Sequence, residues 1–435
     1  MAKKVLNFKL VLILIILVSC SRNDEITNES QLLEEVKDVI ITSYSKNYAY
    51  SGEEVIIYGE NFPIKEKCKI LFDDVYSEIL NVSKDSRQIT IKVPNVARSI
   101  PTLKFIFENR NVVNNITNDY NKNIAVINKS IGNWTSTESA IFISDNDYIR
   151  GIQIKNNGKI YYNVSKRTYS SPDDGITWKV WYNSSFLSDF HATDNDEGFA
   201  DSGFGLGKVP KGGSPLSLNI FFTTDSRTSE KFATVFVEND MRTGLLVTTN
   251  RNVYKTSDGE NFVKVYNSGS TKIDIQRAPF KLDYQNIWTI GYDQAIETGL
   301  IFYCNGNNEN WHSYLFTAYP KSMVNNIYFV NDRVGYCSLY TFDANPKVKM
   351  FKSLDGGASW NLISDIPNAQ RNISMVFINE SIGYVSSDNQ IFLTKDGGNT
   401  WSLDFTADEN IQKLGYSNNC VYALTNGKIN RKFLK

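Results

Sequence analysis

Histidine is almost missing: His191 and His312 are the two in 435 residues. A His-rich metal centre, or a triad with a histidine base, therefore has almost no material. Cysteine is scarce as well. Cys20, Cys68, Cys304, Cys337 and Cys420 form no C-x-x-C pair and no metal-ligand spacing, and the wide separation of the last four reads them as buried free thiols rather than disulfides. Charge of either sign is not in excess. The net charge is −1, with basic residues dispersed, so there is no electrostatic footprint for nucleic acid and that partner class is set aside. Long apolar runs are missing too; the segment from Leu10 to Val18 is too short to span a bilayer. No cofactor and no metal ligand set is assigned.

What is present favours strands. Aromatics make up 13% of the chain, with 24 Tyr and 25 Phe, which points to an all-β protein. The length exceeds what one core usually serves, so at least two modules, or a repeat array with an extra module, are expected. The organising feature is a repeat. Ser353-Leu354-Asp355-Gly356-Gly357-Ala358-Ser359-Trp360 returns 41 residues later as Thr394-Lys395-Asp396-Gly397-Gly398-Asn399-Thr400-Trp401. Each copy lies between β-rich runs and reads as a hairpin turn. In such a turn the hydroxyl and carboxylate accept from N–H groups, glycine takes φ > 0 and the Trp covers the loop. Ser171-Pro172-Asp173-Asp174-Gly175-Ile176-Thr177-Trp178 is a third match, and Thr256-Ser257-Asp258-Gly259-Glu260-Asn261-Phe262 a fourth, one residue shorter.

These residues resemble the Asp-box, or BNR repeat, of sialidases, sortilin-like receptors and related β-propellers. The resemblance implies a propeller over 133–435. In it Ser171, Asp173, Gly175, Trp178, Asp258, Phe262, Ser353, Asp355, Gly357, Trp360, Thr394, Asp396, Gly398 and Trp401 are structural and sit on peripheral hairpins. The interval accommodates seven four-stranded blades, six being the alternative. Ring closure is expected from Val421–Leu424 and Lys428–Arg431 joined by a strand from Ala140 to Ser144.

The N-terminus carries Lys3, Lys4 and Lys9 before its apolar run, the pattern of a signal peptide over 1–19. Leu17-Val18-Ser19-Cys20 resembles the bacterial lipobox, which implies lipidation of Cys20, with 20–36 as anchor and tether. Asp24-Glu25 resembles acidic export signals of surface lipoproteins, so an outer-membrane, surface-exposed location is expected. Residues 37–116 read as short strands separated by turns. Gly59-Glu60-Asn61-Phe62, with Phe72 and the run Ile89-Thr90-Ile91-Lys92-Val93-Pro94, resembles the IPT/TIG immunoglobulin-like domain, which implies a β-sandwich spacer. The Asn-rich stretch 117–132 reads as a linker.

Between Asn183 and Ser217 the strand period fades into a Gly-rich stretch read as an overhanging loop. Phe190, Asp194, Asp196 and Phe204 from it, together with Trp181, Trp288 and Trp311, are the candidate ligand residues. Asp194, Asp196 and Gly198 also have a D-x-D-x-G spacing, though without the later Glu of a calcium loop. Tyr148-Ile149-Arg150-Gly151-Ile152 faintly resembles the first arginine strand of sialidases, but Gly151 replaces its Pro and no carboxylate pair can be nominated. The expectation is a non-enzymatic lipoprotein, held on the membrane by its lipid anchor, whose propeller binds an extracellular glycan. The alternatives are a protein-binding or assembly propeller, and a sialidase-like hydrolase.

Overall fold

The computed structural model describes residues 37–116, 123–138, 149–155, 157–164, 167–183, 189–201, 205–213, 220–223, 230–267, 273–306, 310–342, 346–367 and 373–435. Residues 1–36, where a leader, Cys20 and a tether are expected, lie outside them, as do Phe204 and residues 117–122. Every described element is a strand except one short 3₁₀ turn at Lys65–Lys67.

The N-terminal module builds from simple alternation. In Glu54–Glu60 the side chains of Val55 and Ile57 point inward, and in Gln88–Lys92 those of Ile89 and Ile91 do the same. These two strands pair antiparallel at the centre of a five-stranded sheet, in the order Glu78–Val82, Gln88–Lys92, Glu54–Glu60, Val39–Tyr44, Val112–Asn114. A three-stranded sheet of Val75–Tyr76, Cys68–Phe72 and Leu103–Phe107 covers it. Phe62, Phe72 and Phe107 fill the space between, in one core with Val39, Ile41 and Ile70.

The stretch 117–132 does not behave as a free linker throughout. Ala125–Ile127 is buried and pairs in parallel with Tyr48–Tyr50, because its apolar residues are driven into the seam between the modules.

Among the described residues seven four-stranded sheets follow, and in six of them the strands pair in chain order. Their first strands are Ile149–Ile154, Phe190–Ala192, Phe232–Val237, Ile273–Lys281, Ser322–Phe329, Ile373–Phe377 and Lys413–Ser417. These strands come together around one axial cavity. The second strands are buried on both faces, as in Gly383–Ser387, whereas the fourth strands Asn361–Asp365 and Ser402–Thr406 face solvent on the rim. Apolar clusters run from sheet to sheet rather than within one. Aromatic stacks mark two of these contacts. Trp288 stacks on Phe329 at 3.7 Å and Tyr336 on Phe377 at 3.6 Å, each pair contributing roughly 0.5–1.5 kcal/mol beyond its buried area. Sheets placed radially around an axis in this way form a β-propeller.

Two expectations are corrected. The stretch around Asn183–Ser217 is no overhanging loop: Phe190–Ala192, Gly198–Asp201, Gly205–Val209 and Ile220–Thr223 form one of the seven sheets. Gly198 and Gly213 serve close packing against Trp181. A Cβ on Gly198 would lie 2.1 Å from the His191 carbonyl oxygen and 2.8 Å from the Trp181 ring. Ring closure also uses an earlier strand than Ala140–Ser144, which lies outside the described residues. Trp134–Glu138 pairs with Lys428–Phe433, which pairs in turn with Cys420–Leu424. Asp404 of the neighbouring sheet secures this joint, accepting from Trp134 Nε1 at 2.7 Å and Lys432 Nζ at 2.7 Å.

The N-terminal module sits over the seam between the last and first of these sheets. Tyr48, Tyr50, Ala125 and Ile127 share a core with Ile160, Tyr162, Ile429 and Phe433. At its centre Arg431 and Asp174 form a fully buried ion pair, Nε to Oδ2 3.0 Å, and the Tyr50 hydroxyl donates to the same oxygen at 2.9 Å. Cys68, Cys304, Cys337 and Cys420 are buried free thiols.

Candidate functional site

The repeated turns come first, because they hold most of the carboxylates singled out in the sequence. In Ser353–Trp360 the Asp355 carboxylate accepts from Ser353 Oγ at 2.9 Å, from Ser359 N at 2.9 Å and from Ser359 Oγ. Ser353 Oγ itself accepts from Gly357 N at 2.8 Å, which requires the sharp bend that Gly357 makes at φ 100°. Asp173 and Asp396 repeat the pattern through Thr177 and Thr400. Asp258 uses Asn261 and Glu260 in the shortened turn, with Phe262 packed 6.0 Å from the Phe199 ring. Donation from the Thr400 hydroxyl, then from its N–H and from Thr394, holds the Asp396 carboxyl down to about 2. These acids are saturated within their own turns.

The indoles close the same loops. Trp178 Nε1 donates to Gly175 O and Trp360 Nε1 to Gly357 O, both at 3.1 Å. Trp401 reaches its turn through a relay, donating to Ser364 Oγ at 3.2 Å, which donates to Gly398 O at 2.6 Å.

The proposed sugar-stacking residues are displaced from any surface. Trp181 and Trp288 are fully buried and Trp311 nearly so. Trp288 Nε1 donates to Gly356 O of the next sheet at 2.8 Å, and Trp311 stacks on Phe302. Phe190 is buried against Trp181. Asp196 is also spent inside, accepting from Tyr161 Oη and lying 3.4 Å from Lys159 Nζ. Of the set, Asp194 alone is both exposed and at the cavity, where Asn239 Nδ2 donates to it at 3.0 Å. Asp194 and Asp196 thus bind different partners, and no group of three metal-ligating residues occurs among the described residues.

The site that remains is the axial cavity of about 520 Å³, to which every first strand contributes. Its wall mixes rings with polar groups. Phe236, Phe280, Tyr328 and Tyr416 line it together with Gln153, Asn326 and Ser374. Several of these are held in place. Gln153 bridges to the second sheet, its Nε2 donating to Phe190 O at 2.9 Å and its Oε1 accepting from Ala192 N at 3.0 Å. Ser374 Oγ accepts from Leu414 N at 2.9 Å, and Asn326 Nδ2 donates to Ile373 O at 3.2 Å. Phe280 packs 4.8 Å from the Tyr328 ring, and burial, with Tyr416 adding, pushes the Tyr328 phenol up to about 12.

The ionisable groups of the wall fall into distinct states. Lys281 Nζ sits 2.5 Å from Asp189 Oδ2 and donates to Val235 O. Asp189 in turn accepts from Thr234 Oγ1 at 2.7 Å and Val235 N at 3.1 Å, so this pair staples three sheets together. Lys155 Nζ lies 3.5 Å from Asp194 Oδ1; burial lowers its pKa and Asp194 pulls it back up. Burial holds the His191 imidazole well below its ordinary value, with the charges of Lys281 and Lys155 adding, so it is neutral, with its ring 4.4 Å from Phe236. Burial raises Glu238, and the neighbouring Asp240 and Asp283 raise it further. Lys413 has no hydrogen-bond or ion-pair partner among the described residues, and burial alone pushes its pKa down.

Sequence reasoning missed Lys413, Lys281, Tyr328, Tyr416 and Ser374. A signal existed in the repeat itself. Asn326-Ile327-Tyr328-Phe329-Val330-Asn331 aligns with Ser374-Met375-Val376-Phe377-Ile378-Asn379; both copies begin on a polar residue, Asn326 and Ser374, they differ in polarity at Tyr328 and Val376, and all four line the cavity.

No protein-family model and no curated protein sequence matches the chain. Solved structures do. YCF48 bound to D1 peptide superposes with a TM-score of 0.51 at 12% identity, over 69% of this chain and 97% of that one. YCF48 from Cyanidioschyzon merolae gives 0.50 at 11% identity, over 69% and 98%. An auxiliary nutrient binding protein from Bacteroides ovatus aligns over 91% of this chain and 97% of its own, at 10% identity, but its TM-score of 0.39 is too low to bear on function. The first two place the chain among β-propellers, and at such identity they speak for the fold alone.

Proposed function

We propose that the chain is a cell-envelope lipoprotein, anchored through Cys20, whose seven-bladed Asp-box propeller binds a small extracellular glycan in its axial cavity without turning it over. Residues 37–116 act as an IPT/TIG module that lifts the propeller from the outer membrane. The observation that carries this reading is the cavity wall. Its volume falls in the range of small-molecule sites, and ring faces alternate there with fixed amide and hydroxyl groups. A sugar asks for that alternation, since its C–H face stacks on rings while its hydroxyls need oriented partners.

A glycan array probed with the purified protein, followed by calorimetry on the hits, tests the reading. Binding is expected to weaken in Tyr328→Ala and to survive Trp311→Phe, which alters the core and not the cavity. Capture of peptides and of no glycan would transfer the site to the protein-binding class. Clickable-palmitate labelling of wild type, absent in Cys20→Ala, tests the anchor.

A further inference from the structure

Three lysines line the axial cavity, and they differ in one respect. Lys281 is satisfied by Asp189 and by the carbonyl oxygens of Val235 and Phe190. Lys155 has Asp194. Lys413, which opens the last of the seven first strands, has no carboxylate and no carbonyl within reach among the described residues, and it is only partly open to the cavity. The acids of the wall do not serve it: Asp189 and Asp194 are taken by the other two lysines, and Glu238 lies beside Asp240 and Asp283.

An ammonium withdrawn from water without a counter-charge is a standing cost to the fold. The position does not require a cation for packing. The next residue, Leu414, is anchored independently through its N–H to Ser374 Oγ, and the strand pairs with Cys420–Leu424 over its whole length. Costly groups of this kind, set in a cavity between hydrogen-bonding side chains, mark places where a ligand completes the site.

Resting on the glycan reading above, we propose that the cavity selects a sugar bearing a singly charged oxyanion, a carboxylate or a sulfate ester, and that Lys413 is the group that receives it. The ammonium offers three rotatable donors and a point charge. Ser374, on the neighbouring first strand, accepts from Leu414 N beside Lys413, and Asn326, one first strand further round the wall, donates to Ile373 O. Lys413 is thus a specificity-determining residue, while the rings and Gln153 recognise the sugar itself.

The test is calorimetry of the full chain with three disaccharides of one skeleton: neutral, uronate-bearing and sulfated. Wild type is expected to bind one charged form at least about tenfold more tightly than the neutral one, the scale of a charge-assisted hydrogen bond. Lys413→Met should remove that preference and melt no lower than wild type. Lys413→Arg should retain the preference in part, and Lys208→Met, outside the cavity, in full. The arm that responds, uronate or sulfate, identifies the anion. Equal binding of all three sugars overturns the role of Lys413 and leaves the glycan reading intact; binding of none overturns both. A Lys413→Met variant that keeps the preference likewise sinks the proposal.

Discussion

At the scale of single residues, the acids of the repeated turns and the lysine of the cavity are opposite cases. Asp396 is exposed to solvent yet saturated by donors from its own turn, and those donors hold its carboxyl down to about 2 from an ordinary 3.8. A depressed folded-state pKa contributes stability that is present above the unfolded value and lost as pH falls through the folded one. The urea midpoint of wild type should therefore fall between about pH 4 and about pH 2. Asp396→Asn should already sit lower at about pH 5, and its gap to wild type should shrink on acidification. A gap that stays constant over that range would show that the carboxylate's charge is not what the turn uses. Of the cavity residues, the sequence pointed to Phe190 and Asp194 as ligand candidates, and the rest of the wall was not legible at this scale. Lys413, Ser374 and Tyr328 come from strands roughly 40 residues apart, the blade repeat length, and nothing local distinguishes a polar residue facing an axis from one facing solvent.

At the scale of elements, the turn and its indole act as one unit. Trp360 is buried, its N–H is satisfied by Gly357 O, and its ring meets Phe329 edge-on at 5.8 Å, joining its own turn to the stack with Trp288. Removing it opens a gap under the hairpin and costs about 3–5 kcal/mol. Trp360→Ala should lower the melting temperature and leave the sugar affinity of the folded fraction unchanged, because the turn lies at the rim and the cavity is lined by first strands. Calorimetry on the refolded fraction checks the second half. These turns could be read from the sequence because hydroxyl, carboxylate, glycine and indole each do one local job at a fixed offset. The sheet from Phe190 to Thr223 could not. Its strands are three to five residues long, and Gly198, Gly205 and Gly207 occupy places where alternation would otherwise show; at Gly198 the reason is close approach to Trp181 and the His191 backbone, a tertiary fact.

At the scale of the whole molecule, alternation in Glu54–Glu60 and Gln88–Lys92 made the strands of the N-terminal module legible, and the repeat made the propeller so. The joints between parts were not. Tyr50, Asp174 and Arg431 are far apart in the chain, and nothing in their local surroundings says that they meet. Trp134–Glu138 reads as a polar stretch, since an outermost strand needs little apolar character. Yet that strand decides when the molecule can exist as a ring. Its partner, Lys428–Phe433, lies between it and Cys420–Leu424, so the circle has a seam whose two lips are made at opposite ends of synthesis. While the chain is still being extended, the first sheet has no neighbour on one side and Ile160 and Tyr162 lack the cover that Ile429 and Phe433 provide. The final strand thus works as a completeness check: a chain stopped short of it stays an open arc with a sticky flank. Removal of residues 428–435 should leave a protein that proteases cut in its first sheet as readily as its last, and a truncated chain that resists limited proteolysis like the full one would show that the seam is not the latch.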